Sequence, residues 1–69
     1  IFPNPVQGRL LFESNRKVTE FRIFNVTGNQ VYIASNVNSL EIISEDWKSG
    51  IYIVKVLIDA KIYTLKLVK

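Results

Sequence analysis

The stretch Ile51-Tyr52-Ile53-Val54-Lys55-Val56-Leu57-Ile58-Asp59-Ala60-Lys61-Ile62-Tyr63-Thr64-Leu65-Lys66-Leu67-Val68 decides the fold. Its β-branched and aromatic residues favour extended backbone, and Asp59-Ala60 is the one short break. The spacing predicts two strands, Ile51–Ile58 and Lys61–Val68, paired as a hairpin through a two-residue turn. Such a turn demands positive φ, which Ala resists, so the turn is expected to be strained unless Asp59 takes the unusual angle. Side chains alternate across a strand. Tyr52, Val54, Val56 and Ile58 therefore share one face, and Ile51, Ile53 and Leu57 the other, interrupted only by Lys55. In the second strand Tyr63, Leu65 and Leu67 oppose Ile62 and Val68. An antiparallel sheet needs only one apolar face. The second is expected to meet a loop, the parent protein or a partner, which marks the hairpin as a docking candidate.

The rest of the chain reads the same way. Arg9–Ser14 is a predicted strand with Leu10 and Phe12 on one face, followed by a polar turn at Asn15-Arg16-Lys17. Val18–Val26 alternates, with Thr19, Phe21 and Ile23 opposite Arg22 and Phe24. Thr27-Gly28-Asn29 is a hairpin loop in which Gly28 supplies positive φ. Gln30–Ala34 and Leu40–Ser44 are further strands, separated by a loop at Ser35–Ser39. Glu45–Gly50 is a turn from which Trp47 is expected to plug the core. The opening Ile1–Val6 should be extended, because Pro5 restricts Asn4 and each proline lacks a donor; Gln7-Gly8 then turns the chain. No helical stripe or internal repeat is present. The pattern predicts one domain over 1–69, an all-β antiparallel sandwich of about six to seven strands. A barrel is the alternative architecture.

Composition narrows the function. The 69 residues contain no cysteine and no histidine. That removes disulfides, thiol chemistry, and the commonest general base and transition-metal ligand. The turn serines at 14, 35, 39, 44 and 49 have no histidine to activate them, so no catalytic residue is assigned. Glu45-Asp46 reads as a solvated turn rather than a calcium site, since EF-hand spacing is missing. No metal or cofactor is expected. Asn25-Val26-Thr27 fits the N-glycosylation pattern, a match three residues long that is expected to be silent. Tyr32, Trp47, Tyr52 and Tyr63 could offer a sugar or base platform, but core filling accounts for them more simply. No apolar run approaches the roughly 20 residues of a membrane-spanning helix, so membrane insertion is not expected; nor is nucleic-acid binding, since core filling accounts for the aromatics. The net charge of +3 is uneven: residues 1–47 carry −1 and residues 48–69 carry +4. Lysines of that kind guard edge strands against aggregation, and exposed edges leave a homo-oligomer open. The chain begins at Ile1 without an initiating Met and is expected to be a piece of a larger secreted protein.

Four segments, in order, also resemble a known family. Phe2-Pro3-Asn4-Pro5-Val6 is similar to the "YPNP" opening of type A C-terminal sorting domains of the type IX (Por) secretion system. Phe21–Gly28, with Val31 beyond the turn, resembles their second-strand segment. Trp47-Lys48-Ser49-Gly50-Ile51-Tyr52-Ile53-Val54-Lys55-Val56 resembles their "L-x-x-G-x-Y-x-v-x-v" segment, with Trp47 in place of the usual leucine. Thr64-Leu65-Lys66-Leu67-Val68-Lys69 resembles their terminal "T-x-K-l-v-k". The resemblance implies an Ig-like sandwich at the C-terminus of proteins exported by Bacteroidetes-type bacteria. It implies passage through the periplasm, recognition by the outer-membrane translocon, and commonly removal by a surface sortase, with the cargo released or joined to anionic lipopolysaccharide. The upstream cargo, the translocon and the sortase are thus the expected partners, and no catalysis is expected of the domain. By position, translocon recognition falls to Lys66, Leu67, Val68 and Lys69, and a fold-defining role to Pro3, Asn4, Pro5, Gly28, Trp47, Gly50 and Tyr52. The alternative is a carbohydrate-binding or structural β-sandwich module appended to a secreted enzyme.

Overall fold

The computed structural model describes residues 8–69. The opening segment, including Pro3, Asn4 and Pro5, lies outside the described residues. Four strands are present: β1 (Arg9–Asn25), β2 (Gln30–Ile43), β3 (Ile51–Ile58) and β4 (Lys61–Val68). They form one antiparallel sheet in the order β2-β1-β3-β4. The described residues contain no helix.

Among the described residues the expected six to seven strands are therefore corrected to four. Asn15-Arg16-Lys17 and Ser35–Ser39, read as a turn and a loop, lie inside β1 and β2. Polar residues survive there because the pairing is irregular. Glu13 faces Ser39 and Val18 faces Val37, so four residues of β1 oppose one of β2. Such a bulge bends a strand sharply without ending it. Ser14 Oγ accepts from the Arg16 backbone N–H at 3.1 Å within it, and nearby Asn36 takes a φ of 56°, which asparagine tolerates.

The bend makes a layered molecule out of a single sheet. Seventeen residues in a straight strand would reach about 56 Å at roughly 3.3 Å each, yet the longest dimension is 31 Å. Phe12 and Phe21 lie nine positions apart in β1, but their ring centroids are 4.8 Å apart. The half of β1 up to Glu13, with its partner Ser39–Ile43, has thus folded over the half that pairs with β3. Arg16 at the bend reaches Asp59 in the β3–β4 turn at 2.7 Å, on the far side of the sheet order.

The core fills the gap between the layers. Leu10, Phe12 and Ile42 come from the folded-over part. Phe21, Ile23, Tyr52, Val54, Val56 and Leu67 come from the broad sheet, and Val18 sits just beyond the bend. The expected alternation in β3 holds: Tyr52, Val54 and Val56 are buried, whereas Ile51 and Lys55 are exposed. In β1, Thr19, expected on the face of Phe21 and Ile23, is exposed instead, and Val18 before it is buried.

Both short hairpin turns use positive φ. Gly28 takes +86° in the β1–β2 turn, where Asn25 Oδ1 accepts from the Thr27 N–H, the Thr27 hydroxyl and the Asn29 N–H. At the β3–β4 turn Asp59 (φ 49°) and Ala60 (φ 64°) are both left-handed. Asp59 does not spare its neighbour, so Ala60 carries the strain foreseen from the sequence.

Candidate functional site

The end of the chain divides into residues that hold the fold and residues that face outward. Leu67 is fully buried and is the only residue of β4 in the core. Lys69 is part-buried: its ammonium donates to the carbonyl of Ser44 and, at 2.7 Å, to that of Trp47. Lys69 and Gly50 also exchange both backbone hydrogen bonds, at 2.8 and 3.0 Å. The long basic side chain thus ties β4 to the β2–β3 loop, which has no regular ladder of its own. Lys66 stands exposed on the outer face beside Ile53, and Val68 is half-buried beside Ile51.

The loop so held contains Trp47 and Gly50 and leads directly to Tyr52 in β3. Trp47 is half-buried against the core and packs on Tyr52, with ring centroids 5.0 Å apart. The Tyr52 hydroxyl donates to the Lys48 carbonyl at 2.7 Å. Gly50 takes a φ of +150°, which a side chain disfavours, directly before β3. Trp47, Gly50 and Tyr52 thereby fix the point at which β3 enters the sheet. Glu45 and Asp46 in the same loop are exposed.

From Lys61 to Lys66, β4 is exposed on both faces. Ile62 is 69% exposed and Tyr63 47%. The cause is topological: β4 is an outer strand, and the folded-over layer is only two strands wide, too narrow to cover it. The pairing register also sets which backbone groups point outward. Gly50 and Lys69 form a hydrogen-bonded pair, and such pairs alternate along an antiparallel ladder. Tyr52–Leu67, Val54–Leu65, Val56–Tyr63 and Ile58–Lys61 are then the bonded pairs. The N–H and C=O groups of Ile62, Thr64 and Lys66 point away from β3, along an edge that no described strand pairs.

Charge on this side is unbalanced. Glu20 is held by Arg22 at 2.6 Å and Asp59 by Arg16 at 2.7 Å. The Arg22 hydrogen bond lowers the Glu20 carboxyl from its ordinary value, against a smaller opposing effect of burial. Lys55 rests 5.8 Å from the centre of the Phe24 ring. No ion pair forms at Lys55, Lys61 or Lys66 among the described residues.

The aromatic residues do not assemble into a platform. Tyr32 on β2 packs edge-on against Phe21 at 6.1 Å, while Tyr63 lies on β4 at the opposite edge of the sheet. Three strand spacings separate them, about 14 Å. Tyr52 is in the core. Among the described residues no group of three or more carboxylates gathers for a metal.

The sheet architecture recurs in a solved structure of the CBM51-2 and INT domains of ZmpB from Clostridium perfringens, with a TM-score of 0.70 at 19% identity. The match covers 94% of this chain and 16% of that one, so the chain spans about a sixth of that structure, and the likeness is one of fold. Comparison with curated proteins gives no significant match. The model of the secretion system C-terminal sorting domain matches residues 1–69, the whole chain. The chain belongs to that family, the C-terminal sorting signals of type IX secretion. A type IX sorting domain implies a secreted or cell-surface protein.

Proposed function

We propose that this domain is the export address of a larger secreted protein, read by the type IX outer-membrane translocon after passage through the periplasm. A surface sortase then removes it, and the domain itself does no chemistry. Its folded-over sheet serves as a small Ig-like carrier for the last hairpin. One observation carries this reading beyond family membership: six consecutive residues of β4, Lys61 to Lys66, are exposed on both faces of an outer strand. A merely structural strand of this composition would be covered on at least one face. Within the terminal motif, Lys66 is available to a receptor, whereas Leu67 and Lys69 keep the strand in place.

The test is an export assay in a type IX-competent bacterium. A periplasm-targeted fluorescent reporter carries the chain at its C-terminus and is compared in cells with and without the translocon. Reporter reaching the surface or medium only when the translocon is present supports the address. Equal retention of a folded fusion in both strains refutes it. Deleting Lys66 to Lys69 is a poor control, since it removes a core leucine and the Lys69 anchor together.

A further inference from the structure

We infer that the edge of β4 from Ile62 to Lys66, open among the described residues, takes an extended strand of the secretion machinery as an added strand of the sheet, and that this strand carries a carboxylate facing Lys66. The inference rests on the sorting reading above and specifies the chemistry of its receptor.

Three features of the edge lead to it. The outward backbone groups of Ile62, Thr64 and Lys66 form a ready row of donors and acceptors, and a peptide laid along it would gain main-chain hydrogen bonds without distorting β4. The outer face behind that row is apolar and basic in alternation. Ile62 faces Leu57 and Lys66 faces Ile53, with Lys55 between them opposite Thr64. An added strand would lie beside β4 and place every second side chain on this face, where an apolar residue meets Ile62 and an acidic one meets Lys66. The nearby acids are already engaged, Glu20 by Arg22 and Asp59 by Arg16, so nothing within the described residues neutralises Lys66.

The lysines of β4 decide against a second copy of the chain. Two β4 edges laid antiparallel would bring Lys61 and Lys66 of each copy into one small interface, and like charges there repel. The edge is therefore guarded against itself and open to an acidic strand.

Proline separates strand addition from other ways of reading the edge. The Thr64 N–H points to the open side, so Thr64→Pro leaves the β3–β4 ladder whole, takes away an outward donor and puts a ring in the path of an incoming strand. Ile62→Pro does the same one ladder step nearer the turn and serves if the first variant fails to fold. Each is placed on the exported reporter fusion and checked for folding by circular dichroism of the fusion. A further variant, Lys66→Glu, reverses the charge. The expected result is at least a tenfold loss of export for a folded proline variant and a similar loss for the charge reversal. A folded proline variant exported like the unaltered fusion overturns strand addition, even if charge reversal blocks export. A charge reversal without effect overturns the acidic partner. Binding of the fusion to anionic lipid vesicles that the proline leaves unchanged, together with normal export, assigns the lysines to a membrane surface and also overturns it. Failure of the unaltered fusion to be exported at all refutes the sorting reading itself, a separate outcome.

Discussion

Replacing Ala60 with glycine should stabilise the domain, and the size of the gain follows from the turn. Ala60 has a φ of 64° and Asp59 one of 49°, so the β3–β4 hairpin closes with two left-handed residues. The left-handed conformation costs a residue with a Cβ about 1–2 kcal/mol. Glycine escapes that cost but has more freedom to lose on folding, which returns about 0.4–1 kcal/mol. The net gain for Ala60→Gly is about 0.7 kcal/mol. At roughly 2.1 cal/mol/K per residue, the unfolding entropy of 69 residues is on the order of 145 cal/mol/K. The midpoint should rise by about 5 °C, read from thermal unfolding followed by circular dichroism. Lys61→Gly is the control, because Lys61 lies one residue further on in ordinary strand. There glycine should destabilise, by about 0.5–1 kcal/mol relative to alanine at the same site. A midpoint for Ala60→Gly that is unchanged or lower would refute the reasoning. It would mean either that the turn relaxes to another type or that its strain is negligible.

Three further outcomes are expected. Lys69→Met should cost about 1.5–3 kcal/mol, the range for hydrogen bonds to a charged group, since it strands the Ser44 and Trp47 carbonyls; Lys66→Met should leave stability within about 0.5 kcal/mol, and urea titration of the pair separates anchoring from recognition. Ser44 is fully buried and its hydroxyl has no hydrogen-bond partner among the described residues, so Ser44→Ala should raise stability by about 1 kcal/mol in the same titration. Glu20 has a folded pKa below its unfolded one because Arg22 donates to it. Its contribution is therefore complete above the unfolded value and fades as pH falls through the folded one; Glu20→Gln should remove that part of the acid-side slope, and a slope identical in both proteins would exclude it.

The strongest part of the sequence reading was local. The boundaries Ile51–Ile58 and Lys61–Val68, the buried face of Tyr52, Val54 and Val56, and the left-handed turn at Gly28 follow from alternation and turn chemistry, and all are present. Trp47, expected to plug the core from the loop, packs against the core and Tyr52 but is only half-buried. The misreadings share one cause. Asn15-Arg16-Lys17 and Ser35–Ser39 have the composition of turns, but in the fold they carry a bulge. Composition reports that a segment is polar and solvated; it does not report whether the backbone on either side stays paired.

The terminal motif shows the same limit at the candidate site. The motif places Lys66, Leu67, Val68 and Lys69 together, and alternation separates Leu67 from its neighbours. Nothing local reveals that the Lys69 ammonium turns inward to two loop carbonyls 25 and 22 residues earlier. Nor does it reveal which backbone groups of β4 point outward, because that depends on the register with β3 and on the Gly50–Lys69 pair.

The sequence by itself thus determined the extended backbone, the faces of the last hairpin, the strained turn and the family. Each is set by neighbours a few positions apart or by a motif in order. Only the tertiary structure decided that four strands suffice, that β1 folds back so that Phe12 meets Phe21, and that β4 is left open from Lys61 to Lys66. Those outcomes depend on how far a bulge bends a strand and on how wide a layer it lays over the sheet, and both are settled by packing between residues distant in the chain.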